Sequence, residues 1–549
     1  MKREDLYDAI TDVRDELVEE AGRTRPARKI RPWRRWVGIA ACLVLIVGVG
    51  GGAVLGLLPR LGGSSGGAGG SGSDGSSVFQ SYAGPVLPLT VLGEDGGLTA
   101  SRHITWDFSP WAPVWVSNED QMEEARAAGA TAEELENFAE ELEDLFPEGG
   151  YASTSTDVRV EDQYTLTNPT DQDLTLTFLY PYVGSLDDTE TPALTLNGET
   201  LETEVYAGPY SGGFTGALGE EREGGSLNLD RLDSWEDYEA LLRDGSYQQA
   251  ALGGFPDLTG VPVTVYELSE IYGPSASETA PNPTLQVSFA LDYDRTTVLT
   301  YGFNGGRFDP AGGWMSVNFS IPEPGEPGYG ASVYLIILGD DLTGYTLQGY
   351  ADGGCDSGEE LDGAGASVTR YETNLDAVLR ELEKAFWMND EPGTGINGWE
   401  ELAHGAVCQM LTTYGILGGE QAAERYSDGM LESIFGEAPY LDRVLYLRAD
   451  VTIPAGEQMT LLASQTKEAS FDYACTDRGN RGVYGFDMVM TLDTALEFTQ
   501  VTASIVHCDE VELVRQNFGF DLENGVTQVT LDPATEHYYL EVRRISAEE

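Results

Sequence analysis

The chain has 549 residues, with 92 acidic against 31 basic side chains and a formal charge of −61. A field of that sign repels phosphate backbones and anionic headgroups, which argues against nucleic acid as a partner. Five cysteines in such a length exclude a disulfide-built scaffold, and the length leaves room for roughly three domains.

Residues 1–36 carry ten Lys and Arg against eight Asp and Glu, so the negative charge lies almost wholly in the remainder. Leu6, Ile10, Val13 and Leu17 recur at helical spacing and form one apolar stripe on an otherwise charged helix. The helix is too short to bury that stripe on itself. It docks on a cytoplasmic protein, pairs with a second copy, or stays a loosely ordered tail. Arg23, Arg25, Arg28, Lys29, Arg31, Arg34 and Arg35 follow with no acid among them. Residues 37–58 then read VGIAACLVLIVGVGGGAVLGLL, with no charge and no strong polar group. As a helix this stretch rises about 33 Å, enough to cross a hydrocarbon core of about 30 Å. The arginines on its N-terminal side keep that side in the cytoplasm, so the sequence predicts a single-pass span in the lipid bilayer with the bulk of the chain outside.

A cleaved signal peptide fits less well, because its apolar core is shorter and ends in a small-x-small site, whereas this one ends in Gly-Leu-Leu-Pro. Ile39-Ala40-Ala41-Cys42 imitates a lipoprotein box, but it precedes the apolar core. Gly48, Gly52 and Gly56 form a doubled G-x-x-x-G ridge that would let two copies pair as a homodimer, with the general frequency of glycine in membrane helices as the plain alternative. A charged helix, an Arg-rich stop and one span before an exported region resemble the bacterial single-pass regulators of anti-sigma-factor type. The resemblance covers residues 1–58 and implies an exported sensor domain. The His and Cys ligands of the zinc-binding members have no counterpart, since neither residue type occurs before Cys42.

Residues 59–77 are a Gly/Ser linker with nothing to bury. Matches within it to a nucleophile elbow and to a calcium nonapeptide lack the strands, helix or repeats those motifs need. From residue 78 the exported part begins. Thr131 with Glu134 makes a capping box, and Leu135, Phe138, Leu142 and Leu145 form the buried stripe of an acidic helix. The period then changes to two. Val158 and Val160, then Leu174, Leu176, Phe178 and Tyr180, alternate with polar residues around an Asn168-Pro169-Thr170-Asp171 turn. Asn197-Gly198 is a hairpin signature, because both residues tolerate the positive φ of a type I′ turn. A short helix is expected near Trp235 to Arg243. Strands resume at Leu285 to Leu291, Met315 to Ile321 and Tyr334 to Leu338.

Three apolar stripes, carried by Leu375 to Phe386, Trp399 to Leu411 and Ala423 to Ile434, predict a helical unit over 366–440. From 441 to 549 the pattern returns to strands, with turns at Pro454-Ala455-Gly456-Glu457 and at Asn524-Gly525. The expected fold is therefore mainly β with helical insertions: one transmembrane helix plus exported β-sandwich-type domains. These are a β-rich region over 78–350 with a break near 210–255, the helical unit, and a C-terminal sandwich over 441–549.

Chemistry has few places to sit, since the chain holds four histidines. Glu400, His404 and Cys408, spaced by four on one helix face, are all metal-ligand types. That helix also needs a buried face and no fourth ligand is visible, so the expectation is core packing, with no metal and no cofactor. Cys355, Cys408, Cys475 and Cys508 allow three pairings, of which Cys475 with Cys508 is preferred because both fall in one strand-rich region. His507, Cys508 and Asp509 are adjacent, so in a strand they face opposite ways and form no thiolate pair. Ser464-Gln465-Thr466-Lys467 matches S-x-x-K without its K-T-G partner. Asp352, Asp356, Glu359, Glu360 and Asp362 form an acidic loop that does not match an EF-hand. The sequence points to a non-enzymatic, membrane-anchored sensing or binding protein in a cell envelope. A structural or adhesive surface protein is the alternative, and a hydrolase using paired carboxylates is the third reading.

Overall fold

The computed structural model describes residues 81–545, apart from 128, 188–190, 211–239, 241, 244, 325–327, 354–358, 390–398, 419–428, 473–479, 481, 491 and 493–495. The stripe of Leu6, Ile10, Val13 and Leu17, the span at 37–58 with Gly48, Gly52 and Gly56, and the linker lie outside the described residues, as does the helix expected before Arg243 save its last residues. No helix among the described residues is long and apolar enough to cross a membrane. The described chain is mainly β, with few helices.

The chain divides into two compact units, and the described part of the first is Val114–Ser153. Its strands Val114–Ser117 and Gly150–Ser153 pair antiparallel around helices α1 (Asn118–Ala127) and α2 (Ala132–Leu145). Ser117 and Asp120 cap α1 reciprocally. The Asp120 amide donates to Ser117 Oγ at 3.0 Å and the Ser117 amide to Asp120 Oδ2 at 3.1 Å. Asn118 Nδ2 donates to the carbonyls of Leu142 and Phe146, which also accept the Phe146 and Gly149 amides, and so ties the start of α1 to the end of α2. The α2 stripe is less buried than expected: Leu142 is buried, Leu135 and Phe138 are half-buried, and Leu145 is 51% exposed. The chain leaves the helix there, and the Phe146 ring packs at a tilt on Tyr151 with ring centroids 4.5 Å apart.

The second unit is built of layered sheets. Its largest sheet has seven strands in the order Gln528–Thr530, Phe498–Val506, Thr99–Asp107, Val158–Thr167, Gln458–Lys467, Ala193–Leu196, Glu199–Thr200. Phe498–Val506 runs parallel to Thr99–Asp107, and the other pairs are antiparallel. The inward positions of one half, among them Ile104, Trp106, Val160 and Ile505, share a core with Phe486, Met488, Leu540 and Val542. These last belong to a five-stranded sheet that includes Val483–Val489 and His537–Arg544. The other half, through Tyr164, Leu166 and Leu461, packs on Phe178, Tyr180, Leu447 and Val451. Those lie on Leu174–Gly184 and Arg443–Ile453, the central pair of a four-stranded sheet.

This topology corrects the expected division of the chain. Residues 441–549 do not form a separate sandwich, because Arg443–Ile453 pairs with Leu174–Gly184 and Gln458–Lys467 with Val158–Thr167. One-sided strands distant in sequence bury their apolar faces by sharing these sheets.

Two further sheets face each other. The inner one runs Thr296–Tyr301, Val333–Gly339, Pro262–Tyr272, Gly365–Asn374. The outer one runs Gly305–Asp309, Trp314–Ser320, Thr284–Ala290, Tyr345–Tyr350, Glu360–Leu361. Tyr266, Leu268, Leu335 and Ile337 of the inner sheet meet Val287, Phe289, Met315 and Val317 of the outer one. The alternate inner-sheet residues Val263, Val265, Leu299 and Ile336 point the other way, onto helices. That two-sided burial is why Tyr334 to Leu338 reads as apolar throughout.

Helix α3 (Ser246–Gly253) packs on Glu204–Tyr210, with Tyr247 accepting from the Val444 amide at 3.0 Å. The helices on the inner sheet are α4 (Leu375–Asn389), α5 (Glu400–Gln409) with a π turn over Met410–Tyr414, and α6 (Leu431–Phe435). The helical unit expected over 366–440 therefore starts late. Gly365–Asn374 is an edge strand rich in β-branched residues, paired along Pro262–Tyr272, and Asn374 Oδ1 accepts the Ala377 amide to begin α4. Turn chemistry follows the sequence. Asn197 and Gly198 have φ of 52° and 84° between Leu196 and Glu199, and Glu457 donates back to the Pro454 carbonyl.

Candidate functional site

The described residues that concentrate titratable chemistry lie where α4 meets α5. On α4, Leu375, Val378, Leu379 and Leu382 make the buried ridge. Asp376, Arg380 and Glu383, at i, i+4 and i+7, make a second, polar ridge on a neighbouring face. On α5 every residue from Ala403 to Gln409 is buried. Gly405 allows this closeness, since a Cβ there would stand 2.0 Å from the Phe255 ring.

His404 is 5% exposed and held on both ring nitrogens. Its Nδ1 lies 2.8 Å from Glu383 Oε2 and its Nε2 lies 2.9 Å from Asp376 Oδ1. Cys408 Sγ is 3.4 Å from the same Nε2. Only a doubly protonated ring donates to both carboxylates. Burial alone would strip the proton, but the hydrogen bonds to Cys408 and Glu383 and their charges hold it, and the pKa is pushed up to about 10. Burial raises the Glu383 carboxyl above its ordinary range, against the downward pull of His404. Arg380 closes the outer side, with Nε 3.1 Å from Asp376 Oδ2 and its other nitrogens on both Glu401 oxygens.

Cysteine, histidine and carboxylate in a row have the order of nucleophile, base and orienting group. Here the roles are not open. The imidazole Nε2 that faces Cys408 also faces Asp376, and Cys408 is 1% exposed, out of reach of a substrate. The cluster joins α4 to α5 as a buried ionic weld.

The expected trio of Glu400, His404 and Cys408 is thus brought together only in part. His404 and Cys408 touch, whereas Glu400 is exposed at the start of α5 and the carboxylates on the imidazole come from α4. Among the described residues no group of three His, Cys, Asp or Glu side chains is arranged to hold a metal. Asp356 of the acidic loop lies outside the described residues.

His507 takes φ of 55° and turns its Nδ1 onto Asp107 Oδ1 at 2.6 Å, away from any pairing with Cys508. Cys508 carries a free thiol whose pKa burial pushes up to about 11, with Asp509 and Asp107 adding to the shift. Its expected partner Cys475 lies outside the described residues. Ser464 and Lys467 sit three apart on a strand and so face opposite sides. Lys467 is buried, donates to the Gly84 carbonyl at 2.7 Å, and has its pKa lowered by that burial.

Sequence reasoning missed a second ionic network. Arg102 donates to both Asp162 oxygens at 2.8 Å and to the Val489 carbonyl at 2.8 Å, and Tyr164 donates to Asp162 Oδ2 at 2.5 Å. Its signal was present as charged residues at inward positions of otherwise apolar rows, Ala100-Arg102-Ile104 and Val160-Asp162-Tyr164. The Leu89 amide completes the network on Tyr164 at 3.0 Å, so every strong group has a partner. No protein-family model, curated protein or solved structure matches the chain.

Proposed function

We propose that the protein is a membrane-anchored, extracytoplasmic sensing or binding protein without catalytic activity, held by a single span at 37–58 with residues 1–36 in the cytoplasm. The observation that carries this reading is the adjacency of seven basic residues, free of acids, to an uncharged stretch long enough to span, with the acidic bulk entirely beyond it. Layered β-sandwich sheets form the exported body, and the resemblance of residues 1–58 to anti-sigma-type regulators supports a signalling role for the stripe of Leu6, Ile10, Val13 and Leu17. The α4–α5 cluster offers no exposed nucleophile, because Cys408 is buried and its imidazole neighbour is held by two carboxylates.

Pull-down with a peptide of residues 1–36 tests the coupling. A specific cytoplasmic partner or self-association, lost when Ile10 and Val13 are both changed to Asp, is expected; recovery of neither removes the signalling role. Carbonate extraction of membranes tests the anchor, and release of the chain into the wash contradicts it.

A further inference from the structure

The outer sheet of the second unit buries one face on the inner sheet and turns the other away from it. On that outward face the three central strands carry Thr284, Gln286, Ser288 and Ala290, then Trp314, Ser316, Asn318 and Ser320, then Thr346, Gln348 and Tyr350, as the alternation and register require. None is charged, although 22% of the chain is. The outward charges sit on the two outer strands, Arg307 and Asp309 opposite Ser316 and Trp314, and Glu360 opposite Tyr350. The groups are amides and hydroxyls that both donate and accept; Gln286, Ser288, Asn318 and Gln348 are half-buried and open to a ligand, while Thr284 and Ser316 between them are buried. Trp314, 38% exposed, stands at one end. Tyr350 stands at the other, six residues further along the paired central strand, which at about 3.3 Å per residue is roughly 20 Å away.

We propose that this face binds a neutral polysaccharide, which names the ligand class of the binding reading above and rests on it. A polar, uncharged face suits a ligand of many uncharged donors and acceptors, which sugar hydroxyls supply. An exposed indole offers a ring on which the C–H face of a sugar lies. The chemistry also selects against other partners. Polyanions are repelled by the acidic chain, polycations find the acids elsewhere, and a protein partner would need an apolar anchor at the centre, where amides stand. The separation of the two aromatic residues matches an oligosaccharide of several units better than a single sugar.

The test uses the full chain, purified in a detergent without a sugar headgroup, on an array of neutral glucose, xylose, mannose and galactose oligosaccharides with polygalacturonate as the anionic comparison. Retention on a neutral member and not on polygalacturonate is expected. It should fall at least tenfold in Trp314→Ala and in a Gln286→Ala/Gln348→Ala double variant whose melting temperatures stay at that of the parent. Gln163→Ala, an exposed residue on the seven-stranded sheet, should leave retention unchanged. Retention on no neutral member, equal retention on polygalacturonate, or retention that both outer-face variants leave intact would overturn the proposal. A chain that stays anchored and outward-facing yet retains no neutral glycan overturns this inference alone.

Discussion

His404 Nδ1 lies 2.8 Å from Glu383 Oε2, joining α5 to α4 across a separation of 21 residues in sequence with both side chains buried. Two charges taken out of water stabilise a fold only while they hold each other, so loss of one partner leaves an uncompensated charge.

His404→Gln therefore destabilises the chain by about 3–5 kcal/mol, read as a drop in the denaturant midpoint at neutral pH. Replacing His404 and Glu383 together by Leu and Met should cost less than His404→Gln alone. A double variant as unstable as the sum of the singles would show that the pair is not coupled.

The same histidine sets a pH dependence. Its folded pKa of about 10 lies above the ordinary value of 6.5, so the folded state holds the proton more tightly and the stabilisation is complete below about 6.5 and lost as pH rises through about 10. The groups facing it are Asp376, Arg380 and Glu383 from α4 and Cys408 on α5, with Glu401 on Arg380. Stability should fall more steeply from pH 7 to 10 in the parent than in His404→Gln. Parallel curves would contradict the assignment.

Arg102→Met should cost about 3–5 kcal/mol, because it strands the Asp162 carboxylate at 0% exposure. Met fills the guanidinium stem, so the loss measures charge more than volume. Equilibrium unfolding reads it directly, and a change under about 1 kcal/mol would show that water reaches the site.

Cys508, with its pKa near 11, presents roughly a hundredfold less thiolate at neutral pH than a thiol at the ordinary 9. Iodoacetamide labelling followed by mass spectrometry should show it reacting slowly in the native chain and quickly after denaturation. Fast native labelling would contradict the burial.

Much of this fold was written in local pattern. The alternation at Val158 and Val160, the Asn197-Gly198 hairpin and the Leu375 to Leu382 stripe each belong to one element, and each element stands where its period put it. What local pattern does not contain is pairing across distance. Nothing in the residues of Thr99–Asp107 names Phe498–Val506 as its parallel neighbour, so from sequence alone the C-terminal strands look like a separate sandwich. The site divides in the same way. His404 and Cys408 were linked by their spacing on one helix, while Glu383 and Asp376 meet the imidazole through the packing of a second helix. Gly365–Asn374 does not read as a strand because its edge position exposes most of its side chains and blurs the alternation.

The anchor carries the whole account, and topology on intact cells tests it most directly. With an epitope at the N-terminus and a second at the C-terminus, protease added outside should remove the C-terminal epitope and spare the N-terminal one in the membrane fraction. Survival of both epitopes until the cells are lysed, or recovery of the chain from the cytosol, would contradict it.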